Sequence, residues 1–139
     1  MKKIIWLKLR LVMGLIFLWA FVDKLFGLGF ATKSENSWLN GGSPTSGYLM
    51  NAVHGPFAGY FKSLAGVAIV DWLFMAGLLA VGLTLVINRY VMWGAVAGSI
   101  MLLLMWISAF PPENNPLLDD HIVYALVLVL LAYKSKENR

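Results

Sequence analysis

Long apolar runs separated by short polar breaks dominate the pattern along this chain. Three runs, at residues 4–26, 64–87 and 90–110, are each about twenty residues long, the length at which an α-helix crosses a hydrocarbon core of about 30 Å. A fourth run, at 117–133, is weaker because acidic residues and a histidine occupy its opening turn. The pattern predicts an all-α integral membrane protein, in which residues 1–139 form a single four-helix bundle domain.

Turn-forming residues mark the breaks between the later runs. Asn88 and Arg89 allow only a minimal turn between the second and third runs. The segment 111–116 contains three prolines, which remove backbone donors and restrict the residues that precede them. Within this segment, Asn115 followed by Pro116 predicts the N-cap and the first position of the fourth helix.

The connection between the first two runs, at about 27–62, is too long for a structureless loop in a compact domain. It contains short apolar pieces at 48–53 and 57–61, which lie between Gly-Gly, Ser-Pro and Gly-Pro breaks. We expect these pieces to form short interfacial or partly re-entrant helices that cover the outer ends of the bundle.

The distribution of Lys and Arg predicts the orientation. With the N-terminus in the cytoplasm, eight of the eleven basic residues lie inside, namely Lys2, Lys3, Lys8, Arg10, Arg89, Lys134, Lys136 and Arg139. This bias predicts that both termini are cytoplasmic (N-in/C-in) and that the long first loop is extracytoplasmic. The alternative is a cleavable signal peptide, but Lys8 and Arg10 interrupt its would-be apolar core and no small-residue cleavage site follows.

Composition narrows the function classes. Only 13% of the residues are charged, whereas a soluble domain carries about 25%. The net charge of +4 is concentrated at the chain ends beside apolar runs, so nucleic acid is not expected as a partner. The absence of cysteine excludes disulfides, thiolate-ligated iron–sulfur clusters and covalent haem. Because His54 and His121 are the only histidines, no metal site is expected, and one non-covalent haem is the only metal alternative left open.

Asp71 is the first candidate for a functional residue. It lies about two turns into an apolar run, where an ionisable group is costly and usually faces the bundle interior or a wet cavity. We expect it to meet Lys24, Lys62 or the opening turn of the fourth helix, and a structural ion pair is the alternative to a functional role. The neighbouring Trp72 is the aromatic residue best placed to contact a ligand beside this carboxylate.

The opening turn of the fourth helix supplies further candidates. Asp120 and His121 precede Tyr124 by four and three residues, so either can share a helix face with it. The alternative for the acidic residues is that they complement the positive helix N-terminus in the headgroup region. For most tryptophans and tyrosines, the alternative is the aromatic belt found at membrane interfaces.

Three motifs resemble the DoxX/DoxD family: Phe-Gly-Leu-Gly-Phe-Ala-Thr at 26–32, Trp-Leu-Asn-Gly-Gly-Ser-Pro-Thr at 38–45 and Asn-Pro-Leu-Leu-Asp-Asp-His at 115–121. The resemblance runs from about residue 10 to residue 124. Members are four-helix proteins of the prokaryotic cytoplasmic membrane, and the DoxD type is a subunit of thiosulfate:quinone oxidoreductase. The resemblance therefore implies electron transfer from thiosulfate or another reduced sulfur compound to a non-covalent membrane quinone. It also implies a DoxA-like second subunit.

Quinone reduction takes up protons together with electrons, so it needs titratable groups beside an aromatic wall. On this interpretation the catalytic residues are Asp71, Asp120 and His121, and the quinone-binding residues are Trp72, Lys24 and Tyr124. The outer face otherwise carries only two lysines, so either a basic partner attracts a dianion such as thiosulfate or the substrate is a different compound.

The alternative function is a non-catalytic adaptor or assembly subunit that holds a soluble redox partner. A small-solute transporter is a weaker third class, because the polar residues lie at one end of the predicted helices and form no path across the bilayer. Gly94 and Gly98 allow close helix packing, either within the chain or in a homo-oligomer.

Overall fold

Helices account for the regular structure of this chain. The computed structural model describes residues 2–137, and no strand occurs among them. The α-helices are α1 (Lys2–Phe26), α2 (Ser46–Asn51), α3 (Ala58–Ser63), α4 (Ala68–Ile87), α5 (Val91–Ser108) and α6 (Asp120–Glu137). Two 3₁₀ turns, Ser34–Asn36 and Trp38–Asn40, precede α2. The prediction of an all-α fold is confirmed.

Three helices, α1, α4 and α5, are long and apolar enough to cross a membrane by length and composition. Helix α6 is as long as α5 but carries four charged residues, namely Asp120, Lys134, Lys136 and Glu137. These charges cluster at its two ends, and residues 122–133 between them are uncharged.

Two contacts at opposite ends of the helices show that α1 and α4 run antiparallel. The Arg10 guanidinium, in the first half of α1, donates hydrogen bonds to the carbonyls of Leu85 and Val86 at the end of α4. Near the other end of α1, the Lys24 ammonium lies over the ring of Phe74 in the first half of α4. Helix α5 packs between α4 and α6, and α6 also touches α1.

Small residues on α5 allow its close approach to both neighbouring helices. A Cβ at Gly98 would lie 2.6 Å from Leu128 Cδ1 on α6 and 3.1 Å from Val81 Cγ1 on α4, and a Cβ at Gly94 would collide with Thr84. Val81 and Leu128 are completely buried. The two glycines therefore serve packing within this chain.

The long connection between α1 and α4 contains two short helices. Helices α2 and α3 lie where the sequence predicts short helical pieces, so this prediction is confirmed. Helix α4 begins at Ala68, later than the predicted start at residue 64, because residues 64–67 close a turn at the end of α3.

The start of α6 differs from the prediction. Asn115 Oδ1 accepts hydrogen bonds from the amides of Leu117 and Leu118, at 2.9 and 3.0 Å, and so closes a local turn. The helix itself begins at Asp120, and Asp119 Oδ1 accepts the amide hydrogen bond of His121 at 3.0 Å. The predicted N-cap at Asn115 is wrong, since the carboxylate of Asp119 accepts the hydrogen bond of a free amide in the first turn of the helix.

Candidate functional site

A cavity of about 390 Å³ lies between the α2–α3 segment and the helices α1, α4 and α5. We call it the outer cavity. Its walls are mainly apolar, and its polar side chains are Lys24, Thr45, Tyr48 and Ser108. A mainly apolar cavity of this size with a few polar groups is typical of a small-molecule site.

Lys24 supplies the only cationic group among the described residues that line the outer cavity. Its side chain is half-buried, and its Nζ lies 5.8 Å from the centroid of the Phe74 ring. Within residues 2–137 it has neither a hydrogen-bond partner nor a carboxylate within 4.0 Å. Burying a cation beside apolar groups is costly, and a ring face compensates only part of that cost. The ammonium is therefore free to donate to a ligand.

Tyr48 connects α2 to the end of α5. Its hydroxyl lies 3.0 Å from both the Met105 carbonyl oxygen and Ser108 Oγ, and Ser108 itself is buried. Burial raises the pKa of Tyr48 above its ordinary value of 10.0, and the charge of Asp119 adds to this effect, while the hydrogen bond to Ser108 opposes it. The phenol is consequently a neutral hydroxyl in the wall of the cavity.

Asp71 lies in the first turn of α4 and is only 6% exposed. Its Oδ1 accepts hydrogen bonds from Ser43 Oγ at 2.8 Å, from Thr45 Oγ1 at 2.6 Å and from the Thr45 amide at 3.2 Å. Thr45 also lines the outer cavity, so this carboxylate lies directly behind the cavity wall. The prediction that Asp71 is buried is confirmed. The predicted lysine partner is wrong, since no Lys within residues 2–137 lies within ion-pair distance of it.

A second buried carboxylate, Asp23, lies near the end of α1 and is 1% exposed. Its oxygens accept hydrogen bonds from the amides of Phe30 and Ala31, at 3.2 and 2.9 Å. Both buried acids thus hold parts of the long α1–α4 connection against the helices. Hydrogen bonds from backbone amides compensate each carboxylate for part of the hydration that it loses on burial.

The remaining predicted site residues lie outside the lining of the outer cavity. Trp72 is 62% exposed, and its ring packs edge-to-face against Trp38 with centroids 4.7 Å apart. Asp120 and Tyr124 are exposed on α6. His121 Nδ1 lies 2.8 Å from Asp119 Oδ2, so the pair formed at this turn contains Asp119 and leaves Asp120 out.

Of the six predicted site residues, the structure therefore places Lys24 in the cavity wall and Asp71 immediately behind it. Sequence reasoning missed Thr45, Tyr48 and Ser108. Tyr48 and Ser108 lie 60 positions apart, and no local pattern links residues at that separation. The clue for Thr45 was its place in the Trp-Leu-Asn-Gly-Gly-Ser-Pro-Thr motif at 38–45.

In the part of the chain that the structure describes, no three His, Asp or Glu side chains are placed to hold a metal ion together. Comparisons with known protein families, with curated proteins and with solved structures found no match to this chain. The DoxX/DoxD resemblance thus depends on the three sequence motifs alone.

Proposed function

We propose that this chain is the membrane subunit of a quinone-linked oxidoreductase and that the quinone head group binds in the outer cavity. The observation that carries the proposal is the free Lys24 ammonium in a mainly apolar cavity of about 390 Å³. The DoxX/DoxD resemblance of the motifs supports the same class of cofactor.

The chemistry of the lining residues fits a quinone. A quinone presents carbonyl oxygens that accept hydrogen bonds, a flat ring and a long apolar tail. Lys24 can donate to a carbonyl oxygen, and Phe74 lies beside that ammonium as an aromatic wall. Leu73, Ile100 and Leu104 line the cavity and are also exposed on the outside of the helices, so an apolar tail can leave between them.

When bound, a quinone would supply two-electron chemistry: with two electrons from a partner and two protons taken from water it would become a quinol. During this change Lys24 would stabilise the negative charge that develops on the quinone oxygen. Tyr48 holds a proton on its phenol oxygen, and the Thr45 hydroxyl connects the cavity wall to Asp71. The electrons would come from a partner, either a DoxA-like subunit or a soluble redox protein, which oxidises thiosulfate or another reduced sulfur compound.

We further propose that α6 is the fourth transmembrane helix of an N-in/C-in bundle in the cytoplasmic membrane of a prokaryote. Its 18 residues measure about 27 Å along the axis. Its middle is uncharged, and several large apolar side chains are exposed there, namely Val123, Leu126, Val129 and Leu130. A surface of this kind is compatible with lipid, and the terminal charges would lie in the headgroup regions.

A non-catalytic adaptor subunit is the alternative function, and one observation favours it. The α1–α4 connection exposes large apolar side chains, including Phe30, Leu39 and Tyr60. Exposed apolar groups of this kind are typical of a surface that contacts another protein or a membrane interface. An adaptor would bind its redox partner there and would bind no quinone.

The experiment that tests the proposal is quinone extraction followed by turnover. The chain is purified in detergent, and its quinone content is compared with that of an unrelated helical membrane protein purified from the same membranes. We expect enrichment of quinone in this chain and, in membranes that also contain the partner, thiosulfate-dependent quinone reduction that is lost when the chain is deleted. Equal quinone in the two preparations, together with unchanged turnover after deletion, would overturn the proposal.

A further inference from the structure

A second cavity, of about 590 Å³, lies at the opposite end of the molecule from the outer cavity. Its lining comes from the start of α1, the α4–α5 turn and the end of α6. Four of the lining side chains are basic, namely Lys2, Lys3, Arg10 and Lys134. We call it the basic pocket.

The charges of the basic pocket are only partly compensated. Lys134 Nζ forms an ion pair with Glu137 at 2.7 Å, and both groups are exposed. Arg10 donates to the carbonyls of Leu85 and Val86, which are neutral acceptors at the end of α4. Within residues 2–137, Lys2 and Lys3 have no carboxylate within 4.0 Å. The pocket therefore carries a surplus of positive charge.

Apolar groups share the pocket with these cations. Trp6 and Leu7 line it from α1, and Leu131 lines it from α6. An indole ring beside basic side chains is typical of the boundary between hydrocarbon and headgroups in a membrane protein. Arg10 lies about 12 Å further along α1 than Lys2, so the cations extend from the end of the helix toward its apolar middle.

We infer that the basic pocket binds the headgroup of an anionic phospholipid from the membrane that surrounds the protein. The phosphodiester would contact the lysine ammonium groups, and the glycerol and first acyl carbons would contact Trp6 and Leu131. Basic pockets between helix ends on the cytoplasmic side commonly bind such headgroups. In the N-in/C-in orientation that we propose, this end faces the cytoplasmic leaflet.

A free phosphate ion offers the same charge, but it lacks an apolar part. Contacts with Trp6, Leu7 and Leu131 would contribute nothing to its binding. The lipid and the free ion can therefore be distinguished by experiment. The inference is also independent of the quinone proposal, because the basic pocket and Lys24 are separated by most of α1, about 33 Å from residue 2 to residue 24.

The test uses the full chain and two charge-matched double variants. Lys3→Gln with Lys134→Gln removes two cations from the pocket. Lys8→Gln with Lys136→Gln removes two exposed cations from the same end of the molecule, outside the lining of the pocket. Arg10 is left unchanged, because its loss would also remove hydrogen bonds to α4.

The chain is released from micelles that contain both phosphatidylglycerol and phosphatidylcholine, and native mass spectrometry measures how much of each lipid stays bound. We expect the unchanged chain to retain phosphatidylglycerol in preference to phosphatidylcholine. In the pocket variant this preference should fall about fivefold for each lysine that is removed. The control variant should keep the preference. Equal loss in both variants, or no preference in the unchanged chain, would contradict the inference. The melting temperature of the chain is also measured with inorganic phosphate and with phosphatidylglycerol. An equal rise with both would overturn the lipid assignment.

Discussion

The Thr45 hydroxyl donates a hydrogen bond of 2.6 Å to Asp71 Oδ1, and this contact joins the long α1–α4 connection to the first turn of α4. Because Thr45 also lines the outer cavity, the shape of that cavity depends on the same contact. Asp71 replaces its lost hydration with three hydrogen bonds to a single oxygen atom. The carboxylate is therefore first of all an anchor for the segment that covers the cavity.

Replacing Asp71 should destabilise the protein in proportion to the acceptors that are lost. Asp71→Ala leaves the Thr45 amide and two hydroxyls without their acceptor, and we expect it to lower the free energy of unfolding by about 1–3 kcal/mol. Asp71→Asn keeps one oxygen in place and should cost less. Melting temperatures in detergent provide the measurement, and the exposed Asp120→Asn is the control, with no expected change. Equal melting temperatures for Asp71→Ala and the unchanged chain would contradict the anchoring role.

Gly98→Ala should destabilise the packing of α5 between α4 and α6. The added methyl group would lie 2.6 Å from Leu128 Cδ1 and 3.1 Å from Val81 Cγ1, and both neighbours are completely buried. Overpacking of this kind costs about 1–3 kcal/mol.

Gly47→Ala is the matched control for this prediction. Gly47 lies in helix α2, and a Cβ there would have no neighbour within 4 Å. Alanine should leave stability unchanged or raise it by about 0.5–1 kcal/mol, because glycine is a poor helix former. A melting temperature for Gly98→Ala that equals or exceeds that of Gly47→Ala would contradict the packing described above.

The protein should lose stability at high pH, where Tyr48 ionises. Burial raises its pKa in the folded protein above 10.0, so its stabilising contribution is complete below pH 10 and is lost as the pH rises through the folded-state pKa. We expect absorbance titration of the tyrosines to show one group that ionises late, and Tyr48→Phe should remove it. Tyr133→Phe, at an exposed position, is the control. A late-ionising group that persists in Tyr48→Phe would contradict this assignment.

The absence of cysteine from the chain allows a clean test of topology. We expect Asn40→Cys and Asn114→Cys to react with a membrane-impermeant maleimide added to intact cells. Lys136→Cys should react only after the membrane is opened, because the proposed orientation places it inside. Labelling of both Asn114→Cys and Lys136→Cys in intact cells would refute the fourth transmembrane span, and protection of Asn114→Cys would refute the proposed orientation.

The apolar runs predicted the long helices because a helix buried in lipid or protein needs a continuous apolar surface, and that feature is local in sequence. The two short helices of the first connection were predictable from another local feature, because their apolar pieces lie between glycine and proline breaks. The partners of Asp71 could not be predicted, because Thr45 reaches it from 26 positions away. Sequence reasoning expected Asp71 to meet a lysine or the opening turn of the fourth helix, whereas the chain satisfies this acid with hydroxyl and amide donors.

The start of α6 illustrates a second limit. Asn115 and Pro116 carry the usual signals of a helix start, yet Asp119 and Asp120 carry them as well, and only the structure decides between these overlapping signals. Lys24 was predictable because a cation at the end of an apolar helix is conspicuous in the sequence.

Photolabelling with an azido-quinone tests most directly whether the outer cavity binds a quinone through Lys24. The chain is labelled in lipid nanodiscs with and without excess unlabelled quinone, and the modified peptides are mapped. We expect competed labelling within 61–74 and 100–108, and a strong reduction in Lys24→Met, which removes the charge but keeps a long side chain. Lys33 is an exposed lysine in the α1–α4 connection, and Lys33→Met should label like the unchanged chain. Labelling that unlabelled quinone does not compete, or that is equal in Lys24→Met and Lys33→Met, would contradict the claim.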